Sequence, residues 1–242
     1  MGYADLHCHW IASIDDGCRT PEAGVELLKG LFSLGFSTVV ATPHMRPGMF
    51  DNDRAALERA FARMQPMLAA EGGLPQVHLS SEHYFDEQVY ARLRAGEGLP
   101  YPSRPGAKAR GVLVEMNPVA FPPQLARSFV ELRRKGLFVV LAHPERYQPV
   151  WKDDGCLDPL LDAGARLLLD ICAVVGKYGR APQRAAEKLL EDEAYEAACS
   201  DAHKPEDLDD VARAIDRLTE LVGDEERDRL LGAAPAAILE GI

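Results

Sequence analysis

The chain is 242 residues long, 47% hydrophobic and 27% charged, the balance of a globular protein with a core of its own. Its 38 acidic against 27 basic side chains give a net charge of −11, which argues against nucleic-acid binding, because neutralising phosphates takes a basic face. No apolar run approaches the roughly 18 residues of a membrane span, and the N-terminus lacks the basic, apolar, small-residue order of a signal peptide, so a cytoplasmic protein without membrane insertion is expected.

Residues 3–7 read as a short strand that runs into "LHCHWIASIDDG". His7 and His9 are two apart, so on an extended chain both point the same way. A helix is expected over 21–34, with Thr20 as N-cap and Gly35 after its end. A strand over 37–42, "STVVATPH", finishes on His44, and a helix over 53–70 follows. The third strand, 76–81, finishes on Glu82, and a helix covers 85–94. The fourth, 111–115, finishes on Glu115 and precedes a helix over 122–135. The fifth, 137–142, runs into "AHPER" at His143. A sixth covers 165–171, followed by a helix over 181–191. The seventh, 194–200, runs into "SDAH" at Asp201 and His203. In the last helix, 205–222, Leu208, Val211, Ile215, Leu218 and Val222 fall on one face. No linker or repeat interrupts this alternation, which predicts a single domain over 1–242, α/β in class, with a closed parallel barrel.

In such a barrel every strand opens its C-terminal end on one face. Five of the seven histidines sit at these ends, with His78 and His83 the exceptions. A lone strand-end histidine is ordinarily a hydrogen-bonded structural residue. Imidazoles and carboxylates gathered in one mouth would be costly without cations between them. The candidates also outnumber the ligands that one tetrahedral or octahedral ion can use, so more than one divalent ion is expected. The five cysteines are odd in number and include no CxxC pair, so they read as small core residues rather than a disulfide or zinc framework.

In order and spacing, "DLHCHW", "IDDG", "ATPH", Glu82, "AHPER" and "SDAH" resemble the PHP (polymerase and histidinol phosphatase) superfamily. Within it they are most similar to bacterial manganese-dependent protein-tyrosine phosphatases encoded with capsule and exopolysaccharide genes. The resemblance covers the whole chain and implies a distorted (β/α)7 TIM-like barrel with a three-metal site at its mouth. By position it implies His7, His9, Asp16, His44, Glu82, Glu115, His143, Asp201 and His203 as ligands of two or three ions, manganese first, with iron, zinc or cobalt as alternatives. It makes Arg146 the phosphoryl-binding residue and places Asp16 and His44 in the catalytic set with it. Asp15 keeps the ordinary role of a turn or cap residue. The implied partner is a phosphotyrosine-containing protein, the tail of a bacterial tyrosine kinase; the oligomeric state is left open.

Family members often carry an arginine shortly after the strand-three glutamate and another after SDxH. Here those stretches read "EHYFDE" and "HKPEDLDD", so Arg19, Arg46 or Lys204 would have to assist Arg146. The chemistry expected is phosphoester hydrolysis by hydroxide generated on the ions, with the phosphoryl charge held by the ions and a guanidinium fork. The chain has no Cys-x5-Arg loop and no Walker-type glycine loop. The alternatives are a small-molecule phosphatase of the histidinol-phosphatase type, amidohydrolase-like chemistry with other metals, and a non-catalytic metal-binding or kinase-docking protein.

Overall fold

The computed structural model describes residues 2–107 and 110–241. In chain order its main elements are β1 (Tyr3–Cys8), α1 (Pro21–Ser33), β2 (Phe36–Ala41), β3 (His44–Met45), α2 (Arg54–Ala70), β4 (Gln76–Leu79), β5 (Glu82–Tyr84), α3 (Glu87–Ala95), β6 (Arg110–Glu115), α4 (Leu125–Arg134), β7 (Leu137–Ala142), α5 (Gln148–Lys152), α6 (Asp158–Asp162), β8 (Arg166–Asp170), α7 (Arg180–Glu191), β9 (Tyr195–Cys199), α8 (Leu208–Asp228) and α9 (Ala234–Glu240).

The strands fall into a sheet β1-β2-β4 and a sheet β3-β5-β6-β7-β8-β9, all pairs parallel. Ala41 pairs with Leu79 and His44 with Glu82 in one unbroken register. Thus β2–β3 is a single strand interrupted at Thr42-Pro43, where proline cannot donate to the ladder, and β4–β5 is its equally interrupted neighbour. The circle closes where Cys8 bridges Ala202, with Asp201 N donating to His7 O and His9 N to Ala202 O, both at 2.9 Å. Among the described residues the wall is therefore seven parallel strands, a TIM-like barrel with the predicted strand order.

Alternation along the strands separates two cores. Leu6, Val40, Leu113, Val140, Leu168 and Ala197 fill the barrel interior, together with Tyr101 and with Ala234 and Ile238 of α9. Val39, Val112, Val114, Leu141, Leu167 and Leu169 pack outward against the helices. Each aliphatic side chain so buried contributes about 1.5–3 kcal/mol. The predicted helix end at residue 222 coincides with a break inside α8: Gly223 has φ +83° and ψ 169°, a conformation open chiefly to glycine.

Candidate metal centre

One irregularity aims the first two histidines. Between its Asp5–Val39 and Cys8–Ala41 pairings β1 carries one residue more than β2, a bulge that shifts the pleat. Leu6 packs inside the barrel, and His7 and His9 reach its mouth. The buried Asp5 carboxylate accepts from His7 N at 3.2 Å, from Ser200 N at 3.0 Å and from the Ser200 hydroxyl, clamping the bulge to the end of β9. Burial raises its pKa to about 6, against these hydrogen bonds.

All nine predicted ligands reach one mouth. They form four overlapping groups in which the donor atoms lie within 4.8 Å of one another: His9, Asp16, His44 and His203; His7, His9 and Asp201; His7, Glu82 and His143; His44, Glu82 and Glu115. Glu82 joins the last two through both oxygens, with Oε1 3.3 Å from His7 Nε2 and 3.1 Å from His143 Nε2, and Oε2 2.9 Å from His44 Nδ1. Asp201 Oδ1 lies 3.1 Å from His7 Nε2 and 3.4 Å from His9 Nε2. Only Asp16, at 54% side-chain exposure, and His203, at 28%, open substantially to solvent on their side of the mouth.

Five of the donor atoms are left bare: His7 Nε2, His9 Nε2, His44 Nδ1, Glu115 Oε2 and Asp201 Oδ1 are buried without a hydrogen-bond partner, whereas His143 Nε2 bonds Glu82 Oε1 at 3.1 Å. Such atoms are destabilising unless something else satisfies them, and mixed nitrogen and carboxylate donors suit divalent transition ions. The residues present therefore fit a divalent-metal site. Several histidines are oriented through the other ring nitrogen: His7 Nδ1 lies 2.6 Å from Thr42 Oγ1, His9 Nδ1 donates to Asp15 at 2.8 Å, and His203 Nδ1 donates to the Asp201 carbonyl at 2.8 Å. Two of the predicted ligands are held in strained backbone, His143 at φ +35° and Asp201 at φ +46°.

Electrostatics follow from this crowding. Burial pulls the His44 pKa down, but Glu82 and Asp16 carry it up to about 10. The His44 imidazole holds Asp16 down at about 2. Burial and the Glu82 charge push Glu115 to about 8. Burial opposes the ionised forms of Glu82 and Asp201 as well, yet the surrounding imidazoles, with Arg146 beside Asp201, keep both pKa values well below normal.

The sequence reading did not foresee three second-line residues. Asp15 caps the turn, accepting from Gly17 N at 3.0 Å, but the same carboxylate also fixes His9 and accepts from His44 N at 3.0 Å. Thr42 orients His7. Asp170, at the end of β8, accepts from Arg146 and from Cys172 N. Arg146 itself donates to Asp170 and Asp201 and lies over the Tyr178 ring, 3.8 Å from its centroid, while its Nε is buried without a partner. Of the assisting cations, Arg46 stacks on Tyr84 at 4.1 Å with Nη1 3.8 Å from Glu115. Arg19 and Lys204 are exposed and line a cavity of about 700 Å³ with Asp16 and His203.

Residues 3–240 match the family described as capsular polysaccharide synthesis, CpsB/CapC. The chain is 26% identical over 199 residues to the tyrosine-protein phosphatase YwqE of Bacillus subtilis, covering 82% of this chain and 76% of that protein. It is 24% identical over 200 residues to the putative tyrosine-protein phosphatase CapC of Staphylococcus aureus, covering 82% of this chain and 76% of the other. Its fold matches a chain from the crystal structures of YwqE from Bacillus subtilis and CpsB from Streptococcus pneumoniae, described as unique metal-dependent tyrosine phosphatases, with a TM-score of 0.86 at 24% identity over 98% of this chain and 94% of that one.

Proposed function

Because the chain belongs to the CpsB/CapC family of capsular polysaccharide synthesis, we propose that it is a metal-dependent protein-tyrosine phosphatase, one domain over 1–242 that hydrolyses phosphotyrosine on a protein. The observation that carries this reading is the convergence of bare, buried imidazole and carboxylate atoms on one mouth with a guanidinium beside them. We assign His7, His9, Asp16, His44, Glu82, Glu115, His143, Asp201 and His203 as ligands of two or three divalent ions, manganese first. Bound there, such ions would supply Lewis acidity and a water of lowered pKa.

The chain's own residues do the rest. Arg146 is anchored through Nη2 by Asp170 and Asp201, and its Nε, which has no partner within the protein, is the donor it has left for a phosphoryl oxygen. Asp16 and His44, in mutual contact at 3.4 Å, stand at the open side of the cluster. Arg19 and Lys204 draw the anion toward that side, and Arg46 takes the opposite rim. The proposed substrate is a phosphotyrosine-containing protein, the tail of a bacterial tyrosine kinase, and the proposed compartment is the cytoplasm. All five cysteines are free, as a reducing compartment keeps them, and among the described residues no helix is long and apolar enough to cross a membrane.

The test is turnover of a phosphotyrosyl peptide, histidinol phosphate and p-nitrophenyl phosphate by metal-depleted protein before and after manganese is added. Manganese-dependent hydrolysis that favours the peptide is expected. A preference for histidinol phosphate would replace this reading with the small-molecule one, and no turnover with any substrate would remove it.

A further inference from the structure

Beside the mouth, on the side of Glu115, lies a groove of about 870 Å³. Its walls include Tyr84 and Phe85 from the end of β5 and Val119, Phe121 and Pro122 from the loop between β6 and α4. The groove is preformed. Phe85 is buried against the rings of Tyr90 and Phe129, at centroid distances of 5.5 and 5.8 Å. Phe121 meets Tyr147 edge-on at 5.6 Å, and the Tyr147 hydroxyl is tied to Ala142 O and Met116 N. Apolar side chains so fixed need little ordering when a ligand arrives.

Its near wall adjoins the metal cluster. Phe85 N donates to Glu115 O at 2.8 Å, and the Arg46 guanidinium spans from the Tyr84 ring to the Glu115 carboxylate. A chain with one residue at the cluster can therefore continue into the groove. Val119 stands at its lip with 58% exposure. Met49, in the loop after β3, and Trp151, in α5 after β7, are also exposed, so three of the five exposed large apolar residues among those described follow β3, β6 or β7.

Charge narrows the occupant. The charged residues among the groove's lining are Asp86 and Glu87, both acidic. Past the Arg46 guanidinium on Tyr84, a second anionic group of a small phosphorylated metabolite would meet these two carboxylates, whereas an uncharged apolar side chain loses nothing by passing them. Resting on the phosphotyrosyl-protein reading above, we propose that this groove binds an apolar or aromatic side chain of the substrate polypeptide, in the segment flanking the phosphotyrosine. The site thus reads sequence context as well as the phosphorylated ring.

The experiment compares two phosphotyrosyl peptides, one with leucine and phenylalanine beside the phosphotyrosine and one with serine there, on manganese-loaded wild type and Val119→Asp. In the wild type, KM for the apolar peptide is expected to be about 10- to 100-fold lower than for the serine peptide, the effect of burying one such side chain. Val119→Asp should erase that preference while both proteins turn over p-nitrophenyl phosphate equally. Equal KM for the two peptides in the wild type, or a preference that survives Val119→Asp, overturns the groove proposal and leaves the phosphatase reading standing. So does a wild-type dimer that Val119→Asp splits into monomers, since a second copy would then cover the groove. Turnover of p-nitrophenyl phosphate with neither peptide hydrolysed overturns the protein-phosphatase reading, and the groove proposal with it.

Discussion

Arg146 Nη2 donates to Asp201 Oδ2 at 2.6 Å, while the other oxygen of Asp201 faces His7 and His9. One carboxylate thus links the guanidinium to the proposed metal-ligand set, and Asp170, fully buried, holds the same guanidinium from the side of β8. Removing the arginine leaves Asp170 as an unpaired buried charge, and breaking such a pair costs about 3–5 kcal/mol. Arg146→Met is therefore expected to lower the melting temperature and kcat/KM together. Adding Asp170→Asn should restore much of the stability and none of the activity. Recovery of kcat/KM in the double variant, measured beside thermal denaturation, would show that the arginine's role is structural.

Asp15 turns His9 toward the cluster. Carboxylates in that position raise the basicity of a ligating imidazole, and their loss weakens metal affinity by roughly 10- to 100-fold. Asp15→Asn should show such a drop in a manganese titration followed by metal analysis, with the fold unchanged by circular dichroism. An unchanged affinity would return Asp15 to a purely local turn role.

Gly17 lies against the backbone of His9, where an added Cβ would overlap the His9 carbonyl oxygen and sit 2.9 Å from its carbonyl carbon. Backbone cannot yield as a flexible side chain can, so Gly17→Ala must displace the turn that carries Asp15 and Asp16. We expect activity to fall at least about tenfold, the cost of misplacing a site by a fraction of an ångström, with only a small change in melting temperature. Wild-type kcat/KM in this variant would show that the turn can shift without disturbing the ligands.

Metal uptake should expel protons. With a pKa raised to about 10, His44 is protonated at pH 7 in the metal-free protein, and so is Glu115 with its pKa near 8. Both must deprotonate to ligate. Affinity for manganese should fall as pH falls and keep rising with pH until His44 has titrated. In the metal-free fold the raised His44 value acts oppositely on stability: its contribution is complete below the ordinary value of 6.5 and is lost as pH rises toward 10. Calorimetry in buffers of different ionisation heat should report release of at least one proton at pH 7, and zero release would contradict the charged His44.

The strand-helix alternation was legible because periods of two and 3.6 rarely mimic each other over several residues. Most of the candidate ligands were legible because they stand at or just past the end of an apolar strand, as Glu115 follows "GVLV", whereas Asp16 was named only through the resemblance to a family. What stayed hidden depends on chain folding back on itself. The partnership of Asp15 with His9 needs the loop closed by Gly17, and the bulge at Leu6-His7 is a matter of register with β2. Asp170 was passed over because "RLLLDI" reads as a strand straight through it, and its meeting with Arg146 spans two strand ends. The short α5 and α6 are too brief to show a helical period.

The floor of the barrel has a consequence for biosynthesis. Ile238 shares the interior with Leu6, so residues from opposite ends of the described chain seal the same apolar tube. While the ribosome is still delivering the middle of the chain, the inward faces of the strands have no stopper, and a tube open at its base is an adhesive surface for other nascent chains. Contacts this far apart in sequence also form late, after the loop-closure entropy of the whole wall has been overcome. The proposed metal ligands gather at the opposite end of the same tube, so agents that shield exposed apolar strands during synthesis should raise the yield of protein able to bind metal.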